Sequence, residues 1–488
     1  MKSPVSVAAN MSANERKSLG TLALLKTQQV TDLADQQGVS RQFVHRQKNM
    51  VVQAIDQAFA AKATDVLFHL PVTPQWLDQL MLSLTLTCKS SCRGVKEFMR
   101  DLLDVSVSVG TVHSRLQGAA AQAGVINLAQ DLSRIHVGLH DEIFQGSMPV
   151  LAGVDAASTY CYLLAAAEHR DADTWAIHLL DVCKQGFNPQ HTIADAGQGL
   201  RAGQKVALPG TPCHGDVFHI QKQCESLANV LARRAKGVIS RRKALETEMA
   251  RAKEIGCGNT LSRELTLARQ AEQHASRLAK DVRTLVAWLS HDILALAGPD
   301  LAGRRVLFDF IAAELHQREH LDAARIRPVR RALENQRDDL LAFAAILDAK
   351  LETIAQNSKV SIDLVRDACL LQRRAALSSS YWQRWNQLHD KLSEKFQGVL
   401  DAVVQAMKHI PRASSMVENL NSRLRTYFTL RRQLGTPYLG LLQFFLNHRT
   451  YARSRCPERV GKSPAQLLTG KAHPHWLELL GFTRFQRT

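Results

Sequence analysis

Three carboxylates stand where metal-dependent chemistry could be built. Asp141 lies inside an extended apolar run, Asp195 closes a later one, and Glu418 occupies a helical stretch beyond Pro411. Carboxylates held a few ångströms apart cannot all ionise cheaply, so such a trio calls for divalent cations. Two Mg²⁺ ions about 3.5 to 4 Å apart, with Mn²⁺ able to substitute, would neutralise the acids and support an in-line phosphoryl transfer. One ion activates an attacking water or 3′-hydroxyl, and the other stabilises the leaving oxygen.

The surroundings of Glu418 suit a phosphate-bearing substrate. Between Arg412 and Arg455 there are eight arginines and this single acid. Arg425 follows Glu418 by two helical turns, which puts both on one face about 10 Å apart, where the guanidinium can hold a DNA phosphate. Arg423, Arg431 and Arg432 belong to the same basic run and are read as DNA contacts with it. The plainer reading of Glu418 is a helix cap or a partner for Ser422, and no arginine stands three or four residues on to form a helix ion pair. Asp155 is a rival ligand, but it falls at a hairpin turn where Asp is common. Asp216 is a second rival at the edge of the same region. Glu142 points to the opposite sheet face from Asp141 by the strand period. Cys213, His214, His219 and Cys224 match no zinc ribbon or finger spacing.

A sheet, and a long interruption of it, must position these acids. From about residue 134 the apolar period shifts from 3.6 to 2. Residues 134–144 read as a strand, 145–147 as a turn, 148–154 as a second strand, 155–158 as a turn and 159–165 as a third strand. An amphipathic helix over 173–185 leads to a fourth strand ending at Asp195, and 204–220 is expected to be further strand-like sequence. Only six Gly and two Pro between Gln223 and Ile410 predict an all-helical segment. Its apolar spacing suggests long antiparallel helices over 225–290 and 338–405, interrupted near Gly298-Pro299 and Arg327-Pro328. Trp288, Trp382 and Trp385 are expected in its packing. Its basic runs, Arg233-Arg234-Lys236 and Arg241-Arg242-Lys243, either track phosphates or form a solvated helix face. Pro411 marks a helix boundary before Glu418, and a Phe-rich helix over 439–451 and a segment initiated by Pro464 follow.

Two helix-turn-helix patterns precede the sheet. In the first, Val30, Leu33 and Ala34 lead to a break at Gly38 and a second helix bearing Arg41, Gln42, His45, Arg46 and Lys48. Such amide and cationic side chains suit base edges or phosphates in a major groove, the alternative being a helical hairpin with a solvated basic face. In the second, 91–98 and Leu102-Leu103 precede 107–112, with Ser108 or Thr111 as cap and His113, Ser114 and Arg115 beyond. Arg41, Gln42, Arg46 and Arg115 are the residues expected on DNA.

Several blocks, taken in order, resemble one family. His140-Asp141-Glu142-Ile143, a short turn and Val150-Leu151-Ala152-Gly153-Val154-Asp155 resemble the first acidic block and hairpin of bacterial insertion-sequence transposases of the DDE class. Ala194-Asp195-Ala196-Gly197 resembles their second-Asp block. His214-Gly215-Asp216-Val217-Phe218-His219 is similar to the D-x-F-H strand that often follows. Glu418-Asn419-Leu420-Asn421-Ser422-Arg423-Leu424-Arg425 resembles the third block, and 461–468 with 476–481 resemble the end of many such enzymes. The resemblance implies a ribonuclease H-like mixed sheet whose first and fourth strands lie side by side while a late helix packs across their ends. Asp141, Asp195 and Glu418 would then meet as catalytic metal ligands. It also implies strand cleavage and strand transfer of an insertion sequence, double-stranded DNA (element ends and target) as partner, and a homodimer or larger assembly to hold two ends. Asp195 and Glu418 are 223 positions apart, far more than in compact members, so the helical block is read as an insertion into the catalytic fold, as related transposases carry.

The expected fold class is therefore α+β, multidomain and mostly helical. Residues 1–130 form a helical DNA-binding region with two helix-turn-helix-like units, 131–222 the first part of the catalytic domain, 223–410 an all-α insertion, and 411–488 the remainder of the catalytic domain and a tail. The chain has 488 residues, 45% apolar and 22% charged, and a formal net charge of +17. These values exclude one small domain and a disordered chain, and they favour polyanionic partners. Absence of any run of 18 apolar residues, no signal-peptide core and nine Cys in scattered positions fit a cytoplasmic protein with reduced thiols, with no membrane and no small-molecule substrate as partner. The alternative is a catalytically inactive, transposase-derived DNA-binding protein or regulator. A purely helical scaffold would leave the sheet and its placed acids unexplained.

Overall fold

The computed structural model describes residues 7–59, 67–254, 261–376, 378–430 and 435–485. Contacts divide the chain into two compact units, Met1–Val72 and Thr73–Thr488. In the first, α1 (Val7–Asn10), α2 (Ala13–Leu25), α3 (Val30–Gln37) and α4 (Arg41–Phe59) surround a small core of Met11, Leu19, Ala23, Leu33, Ala34 and Val44. Ser12 and Glu15 cap α2 reciprocally. Gly38 ends α3 at φ 62°, in the left-handed region that other residues enter at a cost, and so turns the chain into α4.

The second unit opens with α5 (Pro74–Leu86), α6 (Cys92–Leu103) and α7 (Val109–Leu128), where Ser91 and Ser108 accept the capping amides of α6 and α7. Then come β1 (Val137–Gln145), β2 (Met148–Asp155), β3 (Cys161–Ala166), α8 (Ala172–Cys183), β4 (His191–Ala194), α9 (Gln198–Ala207) and β5 (Cys213–Gly215). A helical block follows: α10 (Val217–Glu254), α11 (Ser262–Trp288), α12 (Leu301–Arg318), α13 (Ala323–Asn335), α14 (Arg337–Ser358), α15 (Ile362–Leu371), α16 (Ser379–Leu392) and α17 (Phe396–Lys408). The chain then returns to the sheet with α18 (Ser415–Thr429), α19 (Thr436–His448), α20 (Pro464–Thr469) and α21 (Trp476–Leu479).

The sheet order is β3-β2-β1-β4-β5, with β1, β2 and β3 antiparallel and β1, β4 and β5 parallel. The protein is thus mostly helical around one small mixed five-stranded sheet, an α+β architecture. β2 sits between two strands and is buried along almost its whole length, which matches its continuous apolar sequence. The free edge of β3 is closed by α19, whose Asn447 side chain accepts from the Cys161 amide and donates to the Cys161 carbonyl. The same core that holds the sheet takes Val112, Leu116, Ala120 and Ala123 of α7, together with Leu439, Leu442 and Phe445 of α19. The second helix-turn-helix pattern therefore belongs to this unit.

Several local expectations are corrected. Residues 204–207 end α9 and 217–220 begin α10, leaving only three strand residues between, because Val217, Ile220, Cys224 and Leu227 bury at helical spacing. Pro328 lies inside α13 and does not end it: Pro328 and Ala324 are both exposed, so the carbonyl that loses its amide partner meets water. The helix of the 439–451 segment stops at His448, where Arg449 turns extended. Trp385 packs on Phe396 and His389, whereas Trp288 and Trp382 remain 47% and 51% exposed.

The interruption near Gly298-Pro299 is present and has a physical device behind it. A π-turn at Leu289–Ile293 leaves several carbonyls without helical partners, and the wholly buried Arg304 donates to those of Ile293, Ala295, Leu296 and Pro299. Arg412 donates to the Leu294 carbonyl, while its own carbonyl accepts from the Val217 amide at 3.1 Å. The turn after α11, the start of α10 and the approach to α18 are thereby tied together. No described helix is long and apolar enough to cross a membrane.

Candidate metal centre

The parallel half of the sheet brings the acids to one edge. β1 and β4 pair Val137 with His191, Gly138 with Thr192 and Leu139 with Ile193, and Asp195, just past the end of β4, comes near enough to Asp141 for their charges to interact. β4 and β5 pair Ala194 with Gly215, so the next row sets Asp216 beside Asp195. Asp141, midway along β1, thus lies across from Asp195 and Asp216, which directly follow the carboxyl ends of β4 and β5, the end where open sheets carry their sites. α18 buries Val417, Leu420, Leu424 and Phe428 in the sheet's core and carries Glu418 in with them.

Ligand atoms of Asp141, Glu418 and His219 all lie within 4.8 Å of one another. Asp141 accepts from the Asn421 side-chain amide at 2.9 Å and from the Glu142 backbone amide at 2.8 Å. His219 stands in the first turn of α10, its Nε2 3.6 Å from Glu418 Oε1 and its Nδ1 2.7 Å from Asp216 Oδ2. The Ser414 hydroxyl donates to that same Asp216 oxygen, and the Phe218 amide donates to the other at 2.8 Å. Asp195 lies next to this trio but outside its 4.8 Å set. One of its oxygens accepts from the Gly197 amide at 2.9 Å, and its carbonyl accepts from Arg201 Nε at 2.8 Å.

Electrostatics show how crowded the acids are. Burial, with the charges of Glu418 and Asp195 added, raises the Asp141 pKa to about 6 despite the Glu142 amide and the His219 charge. The hydrogen bond to Asp216 outweighs burial at His219 and, with the charges of Asp216, Asp141 and Asp195, raises its pKa to about 9. Burial pushes Asp216 upward, but the bonds from His219 and Ser414 prevail and hold it below its ordinary value. In the metal-free protein His219 is therefore a cation set among carboxylates.

A stability consequence follows for Asp141. Its folded pKa, about 6, lies above its ordinary value of 3.8, so the native state favours the neutral form. The cost of charging it is absent below about pH 4, grows from there to pH 6, and is fully present above. Asp141→Asn is expected to stabilise the metal-free protein by about 1 to 3 kcal/mol at pH 8 and to change little at pH 4, measured by urea unfolding. Equal stability of the two proteins at pH 8 would contradict the burial of a charged group here.

The donor set fits a divalent cation. Asp141 is buried, and among the described residues no Lys or Arg lies within ion-pair distance of it or of Glu418. Ligand-to-metal distances of about 2.0 to 2.6 Å need donors only slightly closer than those seen. Carboxylate oxygens suit Mg²⁺ or Mn²⁺, whereas His219, protonated at both ring nitrogens, has no lone pair to offer a metal while it keeps its charge.

The remaining sequence candidates fall in different places. Glu142 faces away from the cluster and accepts from Trp175 Nε1 at 3.0 Å and Arg170 at 3.3 Å. Asp155 pairs with Gly138, three rows from Asp141, and takes the Ser158 amide in a turn. Cys224 is buried in α10 and His214 stacks on His191, so the Cys and His residues weighed for zinc do not converge. Arg41, Gln42 and Arg46 are exposed on α4, and Arg425 is exposed on α18. Arg115 pairs with Asp78 at 2.9 Å, and Arg423 is half-buried beside Tyr427 and Tyr451. Arg431 and Arg432 lie outside the described residues. Sequence reasoning missed the place of His219 in the cluster and the support from Asn421 and Ser414. The spacing of Asn421, one turn after Glu418 on the same helix, was the available signal.

No protein-family model matches the chain, and no curated protein matches it either.

Proposed function

We propose that the chain is a metal-dependent phosphoryl transferase acting on DNA, with Asp141, Asp195 and Glu418 as metal ligands at the edge of a ribonuclease H-like sheet. More particularly, it is a DDE-class transposase that cleaves and rejoins the ends of an insertion sequence. The observation that carries this is the meeting of Asp141 and Glu418, 277 positions apart, in one partly buried cluster with Asp195 alongside. Bound divalent ions, Mg²⁺ or Mn²⁺, would activate the attacking oxygen and stabilise the leaving one.

The chain's own residues supply the rest. Asn421 and the Glu142 amide fix the Asp141 carboxylate. Asp216, itself held by the Ser414 hydroxyl, fixes the His219 ring, whose charge holds Asp141 and Glu418 together before metal arrives and can meet a scissile phosphate afterwards. Arg425, exposed two turns beyond Glu418, contacts the DNA backbone. Arg41, Gln42 and Arg46 of the N-terminal unit read the element ends in a major groove. Holding two ends requires a dimer or larger assembly on DNA.

The test uses supercoiled plasmid carrying the DNA that flanks the coding sequence. Nicked or linear product is expected with Mg²⁺ or Mn²⁺ and none with EDTA. Duplex binding without any cleavage in either metal would support the alternative, a transposase-derived DNA-binding regulator.

A further inference from the structure

α10 and α11 run antiparallel, and between them lies an open groove of about 730 Å³. Four exposed cations line it, Arg233 and Lys236 from α10 and Lys280 and Arg283 from α11. Its floor is made of small residues such as Ala232 and Ala279. We propose that this groove binds the phosphate backbone of duplex DNA leading away from the metal centre, an inference that rests on the function proposed above.

Among the described residues the four cations stand unpaired although acids are close by. Arg234, adjacent to Arg233, turns away to Asp322 at 2.7 Å. Arg242 is held by Glu246 and Glu272, and Asp281, adjacent to Lys280, is engaged by Arg318 at 3.0 Å. Acids are therefore plentiful nearby but face elsewhere. Among the described residues no carboxylate lies within ion-pair distance of any of the four groove cations. Four like charges in one groove repel each other, and a polyanion removes that repulsion while releasing its counterions.

Position fits the same occupant. His219 and Arg233 share α10 and lie 14 residues apart, which is about 21 Å along the helix and within about 40° of the same direction. The Gln221 side chain reaches the Ser290 carbonyl at 3.5 Å, so the end of α11 lies level with the start of α10. Arg283 then stands about 10 Å, and Lys280 about 15 Å, beyond that level. At 3.4 Å per base pair the cations cover roughly the fourth to the eighth pair from the cluster. No aromatic ring lines the groove, so stacked single-stranded bases have no platform, and its alanines offer nothing large enough to enter a lipid layer.

The experiment measures affinity for a fluorescent 30-base-pair duplex by anisotropy across KCl concentrations, in EDTA to prevent cleavage. A variant with Arg233, Lys236, Lys280 and Arg283 all changed to Ala is expected to lower the magnitude of the slope of log affinity against log salt by about 3 to 4. Arg233→Gln with Arg283→Gln should lower it by about 2. A charge-matched control, with the exposed Arg251, Lys253, Lys391 and Lys395 changed to Ala, is expected to keep the wild-type slope. All eight positions are exposed, and unchanged thermal unfolding is the expected check on folding. A wild-type slope in the fourfold groove variant overturns the inference, as does an equal loss in the control or an equal loss on single-stranded DNA. Wild-type protein that nicks plasmid while the groove variant keeps its slope leaves the proposed function standing and removes only the groove. Wild-type protein that neither binds nor nicks removes both.

Discussion

Asp141→Asn, Asp195→Asn and Glu418→Gln are each expected to reduce strand cleavage by about a thousandfold or more while leaving duplex binding nearly intact in a gel shift. Each change keeps the side chain's shape and one oxygen acceptor but removes the charge that a divalent cation requires. Asn at 141 can still take the Asn421 or Glu142 hydrogen bond, so loss of cleavage would report loss of metal and not of fold. Asp195 is the most discriminating of the three. Its place just past the end of β4 brings it near Asp141, and its charge acts on both Asp141 and His219, yet it lies outside the tightest set of donors. Retained cleavage in any one variant would remove that residue from the site.

His219→Ala is expected to lower cleavage by about 10- to 100-fold, the usual scale for a group that orients or charges a metal site. Without the imidazolium, Asp141 and Glu418 lose the nearest cation in the metal-free state, and the substrate phosphate loses a donor. Asp216→Asn tests whether the ring works through its carboxylate partner. The hydrogen bond to Asp216 is the main reason the His219 pKa reaches about 9, so its weakening lets that value fall. His219 would then lose its charge at lower pH, and the alkaline limb of the cleavage profile should move down in Asp216→Asn. Wild-type rates in His219→Ala, with an unmoved profile in Asp216→Asn, would make the pair structural only.

Local pattern made much of the sheet readable from the chain. The short apolar runs around Asp141, Val150 and Leu163 correspond to β1, β2 and β3 within a few residues, because strand-length apolar runs separated by short turns suit a sheet covered on both faces. The scarcity of Gly and Pro after Gln223 likewise marked the helical block. α9 was not legible, since Gly199 and Gly203 lower helix propensity there. The contact that explains one of them appears only in three dimensions: a side chain at Gly203 would come within 2.5 Å of the Ala172 carbonyl of α8. Pro328 misled for the opposite reason, because the break it suggests depends on whether the freed carbonyl reaches water.

The same division runs through the candidate site. Asp141, Asp195 and Glu418 could be picked out by their places within the first strand, at the end of the fourth and on a late helix. His219 could not be joined to them, because its position depends on a helix starting immediately after β5 and on α18 returning across the sheet some two hundred residues later. Ser414 and Asn421 gain their roles from that same return. Sequence spacing carries information over a turn or two of helix, whereas these contacts are set by the packing of α10 and α18 against one sheet edge.

Soaking crystals of the protein in MnCl₂ and recording anomalous diffraction at the manganese edge would locate the metal directly. Strong anomalous peaks are expected between the carboxylates of Asp141 and Glu418, extending toward Asp195, and absent from Asp141→Asn crystals treated identically. A map with no peak at that edge of the sheet, or with manganese bound only elsewhere on the chain, would contradict a metal-dependent centre formed by these acids.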